Sequence, residues 1–443
     1  MACILRARRK ITSDDLLAAA CAGLHQAHAP YLLLIGLVRL LRPAWPARRI
    51  SPELIFRRAL RLASPNSRVA CLLLAACGLR SFCLWAGELA PELFVRAAEP
   101  RIFRFPEDHG SHPAFKTEWW YLTGALQTEA GETLGYQATW FRVALASAKP
   151  PRTSRLAARQ VFLFHGALTD VSAGSHVFDE AACRDASTWA GAAEGTLNVF
   201  LLGRTLVQES SGTWRARCSV QGRALDLRMS AEREVLLHGA SPGWSRKGAE
   251  PGAASYYASI TRLRTEGTLE RVPGGPSVKV TGQTWFDHEF GSSQLAQDQV
   301  GWDWFSVALD DGTDLMLYAL RKEDGALDAA SSGTLFFADQ RRVHLKRDDF
   351  KIEVLEHWRS PKTGAAYPAR WILRVPGHGL ELEVKPMLHA QELTTPGSTG
   401  VTYWEGLCAY AGQAGGRKVK GQGYVELVGY AGRLPVNLFG MRP

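Results

Sequence analysis

From residue 101 onward this sequence predicts an all-β fold, arranged as two tandem antiparallel barrels behind an N-terminal leader. Three observations predict it: short runs of strand-forming residues recur with turns between them, helix-period patterns are scarce, and one acid–aromatic hairpin occurs twice. Val161-Phe-Leu-Phe164, Ala224-Leu-Asp-Leu-Arg-Met229, Ser277-Val-Lys-Val280, Leu315-Met-Leu-Tyr-Ala-Leu320 and Leu380-Glu-Leu-Glu-Val384 alternate or cluster residues that suit a pleated surface. Pro273-Gly-Gly-Pro276 and Asp310-Asp-Gly312 supply turns. Many short strands with regular turns point to barrels or sandwiches, not to a helix-crossed parallel sheet.

The leader differs in kind from the body of the chain. Residues 1–68 hold twelve Lys/Arg against Asp14, Asp15 and Glu53, which is the whole +9 excess of the 443-residue chain. The rest is neutral, so the body carries no electrostatic signature of a polyanion partner and nucleic-acid binding is not expected. Tyr31-Leu-Leu-Leu-Ile-Gly-Leu-Val38 ends at Arg39, short of the roughly 20 residues a spanning helix needs. Within 69–100, Val69-Ala-Cys-Leu-Leu-Leu-Ala-Ala-Cys77 comes after Arg68; a basic residue, a short apolar core and small residues describe a secretory signal. Leu74-Ala-Ala-Cys77 also fits a lipoprotein signal, with Cys77 as the lipidated residue. Two readings are open: a start codon assigned too early, so that the leader is not made, or a real Arg-rich extension that stays disordered or touches the membrane. The signal-like run gives an expected location in the cell envelope, periplasmic or secreted, with Cys77 as a candidate lipid anchor.

The two barrels are expected over 101–270 and 271–443. Glu118-Trp-Trp-Tyr121 runs through Gly131 to Leu134-Gly-Tyr-Gln-Ala-Thr-Trp140, and Asp303-Trp-Phe-Ser306 runs through Gly312 to Leu315-Met-Leu-Tyr-Ala-Leu320. Each reads as an acid–aromatic strand, a Gly-containing turn and a second apolar strand. A spacing of about 180 residues is one barrel-sized unit, consistent with duplication, though two unrelated amphipathic hairpins could also look alike. The boundary is placed at 265–276, where Gly267 and Pro273-Gly-Gly-Pro276 interrupt the pattern.

Of eight cysteines only Cys183, Cys218 and Cys408 lie in the body, with no CxxC pair, so neither a zinc site nor a disulfide framework is supported. A Cys183–Cys218 bridge stays open if the compartment is oxidising. Gly239-Ala-Ser-Pro-Gly243 spells a Gly-x-Ser-x-Gly elbow, but that motif needs the N–H of the residue after the serine, and Pro242 has none. A turn is the better reading.

Two segments concentrate chemistry. Phe105–Gly124 packs Asp108, His109, His112 and Glu118 beside Trp119, Trp120 and Tyr121. Titratable groups next to large aromatics suit a cavity, because apolar walls shift carboxylate and imidazole pKa values. Trp285-Phe-Asp-His-Glu-Phe290 is the second. As a strand it puts Trp285, Asp287 and Glu289 on one face and Phe286, His288 and Phe290 on the other. Asp287 and His288 then point apart, so a local metal cluster is disfavoured and would need partners such as His109 or His112. Asp287 beside Trp285 suits a general acid, with Glu289 or His288 orienting water. The alternative is that both carboxylates satisfy backbone or Arg donors at a barrel rim.

Together with Ser255-Tyr-Tyr257, Gly301-Trp-Asp-Trp-Phe305, Tyr403-Trp-Glu-Gly406 and Gly421-Gln-Gly-Tyr-Val-Glu426, these segments resemble the AttH/CrtC family, which includes carotenoid hydratases and a branch of predicted secreted proteins. The resemblance covers about Arg101 to Tyr430. It implies two lipocalin-like barrels and an apolar isoprenoid- or lipid-like ligand. It also implies that Asp287 matches the aspartate that protonates a terminal double bond in the hydratases. Trp302, Trp304, Trp404, Tyr256 and Tyr257 then join the expected substrate-binding set. Ring faces of Trp285, Tyr257 or Trp120 would stabilise a tertiary cation, and no metal or organic cofactor is required. The wording around His109 and His288 is closer to the AttH-type secreted members. A non-catalytic envelope carrier working beside an ABC exporter is the alternative function.

Overall fold

The computed structural model describes residues 94–145, 158–210, 212–293, 295–296, 298–432 and 434. The leader, the signal-like run and Cys77 lie outside the described residues. Among the described residues every regular element is a strand or a single turn of 3₁₀ helix, and no helix is long and apolar enough to cross a membrane.

Among the described residues thirteen strands form a first antiparallel sheet. They are β1 (Thr117–Thr128), β2 (Thr133–Ala144), β3 (Gln160–Asp170), β4 (Ser175–Arg184), β5 (Ala190–Ala192), β6 (Asn198–Leu201), β7 (Arg204–Ser210), β8 (Thr213–Val220), β9 (Arg223–Ala231), β10 (Leu236–Leu237), β11 (Trp244–Arg246), β12 (Ala254–Glu270) and β13 (Ser277–Gly291). Ten more form a second: β14 (Gln299–Leu309), β15 (Asp314–Lys322), β16 (Ser332–Phe336), β17 (Arg342–Lys346), β18 (Lys351–Arg359), β19 (Ala366–Val375), β20 (Leu380–Pro386), β21 (Glu392–Thr394), β22 (Thr402–Ala414) and β23 (Arg417–Val428).

The spatial order of the first sheet is β4-β3-β2-β1-β13-β12-β9-β8-β7-β6-β5, and of the second β17-β16-β15-β14-β23-β22-β20-β19-β18. In each, four strands meander outward and the last strand returns to lie beside the first. The two hairpins seen in the sequence, β1–β2 and β14–β15, hold the same place in their sheets. Each also carries an acid–arginine ion pair, between direct cross-strand partners in the first hairpin and diagonal ones in the second. Glu118 on β1 is held by Arg142 of β2 at 2.8 Å, and Asp303 on β14 by Arg321 of β15 at 2.9 Å.

Each sheet curls around its own core. Trp120, Leu122, Phe162 and Phe164 from one end of the first sheet pack with Leu201, Leu206, Trp214 and Val220 from the other. Strands at the curl's outer side alternate, as in β8, where Trp214, Ala216, Cys218 and Val220 point in. The strands β1, β12, β13, β14, β15, β22 and β23 are covered on both faces. Their second face meets the other sheet through Tyr121, Tyr257, Trp285, Trp304, Tyr318, Leu407 and Tyr424.

The boundary expected at 265–276 is corrected. Residues 271–276 form the hairpin turn between β12 and β13 inside the first sheet, and the chain changes sheet only between Gly291 and Gln299. The Pro-Gly-Gly-Pro signal marks a tight turn, and a tight turn joins neighbouring strands rather than separate sheets. Cys183 and Cys218 are free thiols on β4 and β8. The Gly-x-Ser-x-Gly segment is a turn between β10 and β11, with Ser241 bridged to Trp244 and no helix after it.

A β-bulge between Ile260 and Leu263 lets two successive residues reach the second sheet. Thr261 Oγ1 donates to Asp314 Oδ2 at 2.6 Å and Arg262 Nε to Oδ1 at 2.9 Å, while Arg233 Nη1 reaches Oδ2 at 2.8 Å. Asp314→Asn keeps the shape but removes the charge that three donors converge on. A loss of about 2 kcal/mol is expected in urea unfolding, the scale of a hydrogen bond to a charged group. An unchanged midpoint would show that this strut contributes nothing.

Candidate active site: an aromatic cavity with four carboxyls

The cavity lies between the sheets, where strand register stacks side chains in rows. In the first sheet Asp287 of β13 stands between Ser259 of β12 and Tyr121 of β1, and Glu289 stands between Tyr257 and Trp119. In the second sheet Tyr318 of β15, Trp304 of β14, Glu426 of β23 and Glu405 of β22 form one cross-strand row. These rows face each other across a cavity of about 120 Å³, with Phe141, Trp302, Leu320 and Tyr403 completing the apolar walls.

Asp287 is buried and accepts three side-chain hydrogen bonds. Tyr257 O–H donates to Oδ2 at 2.5 Å, and Ser259 Oγ and Trp285 Nε1 donate to Oδ1 at 2.5 and 2.6 Å. Burial raises its pKa to about 7 although these three donors pull the other way; the Glu289 charge adds to the rise. Trp304 Nε1 donates to Tyr257 Oη at 3.0 Å, so a hydrogen-bonded chain runs from the second sheet to the carboxyl. Behind Ser259 sits His238, whose Nε2 lies 2.6 Å from Ser259 Oγ and whose Nδ1 lies 2.9 Å from Thr334 Oγ1. Burial, with Lys247 and Arg342 nearby, holds His238 neutral, its pKa well below the usual imidazole range. When Ser259 donates to an ionised Asp287, the hydrogen of the His238–Ser259 contact comes from Nε2.

Glu289 has the cavity's cation. Lys247 Nζ lies 3.1 Å from Glu289 Oε1 and 3.9 Å from the Tyr318 ring centroid, and Ser255 Oγ donates to the same oxygen. Burial works to lower the lysine pKa, but the Glu289 charge, helped by Tyr318 and Asp287, leaves it raised.

Other expected site residues lie on the opposite face. Glu118, His112, His288 and Asp108 form a buried network inside the first barrel. His112 Nδ1 and His288 Nε2 meet Glu118 Oε1 at 2.8 and 3.0 Å, Arg142 Nε meets Oε2 at 2.8 Å, and His112 Nε2 meets Asp108 at 3.0 Å. Of the 108–121 block, expected to supply members of one cavity with Trp285, Asp287, His288 and Glu289, Trp119 and Tyr121 line the cavity, and the expectation is corrected for Asp108, His109, His112, Glu118, Trp120 and His288. Strand alternation divides the block, sending Trp119 and Tyr121 to the cavity and Glu118 and Trp120 away from it. Trp120 stacks on His288 at 5.0 Å. His109 sits among Phe105, Trp214 and Phe286, with burial and then His288 driving its pKa to about 3. Tyr256 packs with Phe115 and Phe290 and donates to Glu99 O, and Trp404 belongs to the second barrel's core.

His112, Glu118 and His288 each place a potential metal-ligand atom within 4.8 Å of the others, so His112 does reach His288 across the fold. However, Arg142 is wholly buried against Glu118 and also donates to His112 O and Phe115 O. A divalent ion there would sit beside a fixed guanidinium, and the trio fits an ion-pair network better than a metal centre.

Sequence reasoning missed Lys247, Ser259, His238, Tyr318, Glu405 and Glu426. A usable signal lay in Tyr403-Trp-Glu405. Selecting Trp404 takes the wrong face of β22, whereas Tyr403 and Glu405, two apart, share the cavity wall.

Two curled antiparallel sheets of matching topology, with an acid-bearing aromatic cavity between them, define a lipocalin-like class of protein. Residues 96–430 match the AttH-like family model, and the chain belongs to that family. It is similar to the crystal structure of an AttH protein of Nitrosomonas europaea, with 32% identity, a TM-score of 0.68, and coverage of 76% of this chain and 99% of that one. Kievitone hydratase of Nectria haematococca shares the fold at 15% identity and a TM-score of 0.58, over 77% of this chain and 97% of that one. In sequence, kievitone hydratase of Fusarium solani subsp. phaseoli is 22% identical over 236 residues, which span 51% of this chain and 62% of that relative.

Proposed function

We propose that this protein adds water to an alkene of a small hydrophobic, isoprenoid-bearing molecule, with Asp287 as the proton donor. One observation carries the reading: a carboxyl with a pKa near 7 is enclosed by Trp285, Tyr257 and Trp304 and borders an apolar cavity. A proton donor poised near neutrality is what general-acid catalysis requires. Protonating a trisubstituted alkene gives a tertiary cation, which the ring faces of Trp304, Trp119 and Tyr257 stabilise by cation–π attraction while the apolar walls limit side reactions. The fold and sequence likeness to kievitone hydratases supports hydration as the reaction class.

The test is to incubate the full chain with para-prenylphenol, a small molecule carrying a trisubstituted alkene, and follow the mass gain of one water. A tertiary alcohol should form at the same rate with and without chelator, because every proposed step uses side chains. Loss of activity on chelation would move the chemistry to the His112–Glu118–His288 trio. Binding without turnover would favour a carrier, the competing reading, in which the cavity serves transfer to a membrane exporter.

A further inference from the structure

Across the cavity from Asp287, the second sheet presents two glutamates as direct cross-strand partners, Glu405 of β22 and Glu426 of β23. Like charges placed opposite each other on neighbouring strands repel. Among the described residues no basic side chain forms an ion pair with either. Each carboxyl receives one side-chain donor: Tyr121 O–H reaches Glu405 Oε1 at 2.6 Å, and Trp302 Nε1 reaches Glu426 Oε2 at 3.1 Å. The second oxygens, Glu405 Oε2 and Glu426 Oε1, have no hydrogen-bond partner among the described residues. Glu405 is only 2% exposed, yet it lines the cavity. Glu426 keeps more surface, on that same cavity wall.

Two adjoining buried carboxyls without a cation do not both ionise. Burial, reinforced by Glu426, holds Glu405 well above the ordinary carboxylate range, and burial pushes Glu426 up to about 7. Near neutral pH Glu405 therefore holds a proton, while Glu426, close to its own pKa, offers a vacant acceptor.

We propose that the Glu405–Glu426 pair is the catalytic base of the hydration: it takes the proton released when water adds to the cation made by Asp287. The assignment rests on the reaction class proposed above. In the first step the alkene π pair takes the Asp287 proton, a C–H bond forms, and Asp287 is left as carboxylate. In the second, a water lone pair forms the C–O bond. The proton of the resulting oxonium passes to a free glutamate oxygen, leaving the pair as two neutral acids. Return of one proton from the pair to Asp287 through cavity water closes the cycle, and the net change is alkene plus water to tertiary alcohol. Glu289, unlike the pair, is held by a cation: its Oε1 meets Lys247 Nζ at 3.1 Å and accepts from Ser255.

The test uses the full chain carrying Glu405→Gln and Glu426→Gln together, with para-prenylphenol in deuterated water. Asp287 remains able to protonate the alkene reversibly, so recovered probe should still gain deuterium at a rate within about threefold of wild type. Net hydration should fall about a hundredfold, the scale of a lost general base. A structural role would lower both rates together, and that outcome, or no change in hydration, overturns the assignment while leaving the reaction class intact. Wild type that neither hydrates nor exchanges overturns the reaction class, and the assignment with it. If the double variant does not fold, Glu426→Gln alone is read by the same pair of rates.

Discussion

Asp287→Asn is expected to lower turnover at least about a hundredfold, since an amide of the same size cannot supply a carboxylic proton. Ligand affinity should change by no more than about twofold, because the aromatic walls provide most of the contact. In the wild type the donor is protonated below its pKa of about 7, so the rate should decline as pH rises through that value. The stability consequence has a definite sign. In the folded protein Asp287 keeps its proton between the ordinary value of 3.8 and about 7, a window in which the unfolded chain has lost it. The folded state binds more protons there, so its advantage is complete below the unfolded pKa and is lost as pH rises through the folded one. The span corresponds to on the order of 4 kcal/mol. Urea unfolding of wild type and Asp287→Asn at about pH 4 and about pH 8 isolates this contribution. The stability difference between the two proteins should change across that range in favour of the variant, and parallel behaviour would show that Asp287 is not held protonated by the fold.

Arg142→Met should be the most destabilising single change. The guanidinium is buried, donates to Glu118 Oε2, His112 O and Phe115 O, and is the chief charge balancing a carboxylate with no exposure. Removing one partner of a buried pair costs about 3–5 kcal/mol, because the other charge is stranded. Glu118 has the opposite linkage from Asp287. Burial works to raise its pKa, but Arg142, His112 and His288 hold it well below 4.5. Its contribution is therefore present above the unfolded pKa and lost as pH falls through the folded one. Arg142→Met should consequently lose less relative to wild type in acid, and adding Glu118→Gln should recover part of the loss at neutral pH. A shift within about 1 kcal/mol in urea would show that Glu118 is not a buried carboxylate dependent on Arg142. In the second sheet burial leaves the Asp303 pKa raised although Arg321 pulls it down, so that pair has the opposite linkage.

Strand identity was largely legible because period-two alternation and turn residues are local properties. Trp285, Asp287 and Glu289 share a face in the structure as the alternation requires, and the two acid–aromatic hairpins occupy equivalent positions. The family resemblance also pointed to Asp287, now flanked by Ser259 and Tyr121. Less legible was which face of each strand meets the cavity. In β1 both faces are buried, so Glu118 and Tyr121 look equally suited to a site, yet one is clamped by Arg142 and the other donates to Glu405. The same ambiguity drew Trp120, His288, Tyr256 and Trp404 into the expected site, although each serves a barrel interior or rim.

The amino-acid sequence by itself determined the all-β class, the duplicated hairpin and the opposition of Asp287 to His288, because each depends on neighbours within a strand or turn. The tertiary structure alone decided that 271–276 is a turn within one sheet, that Lys247 meets Glu289, and that Glu405 and Glu426 stand opposite each other in the cavity. Those relations join residues tens to hundreds of positions apart. Their side chains meet only when hydrogen-bond register and the packing of one curled sheet on the other bring them together. The carboxyl pKa values come from that packing too, since burial, their largest cause, is a property of both sheets at once.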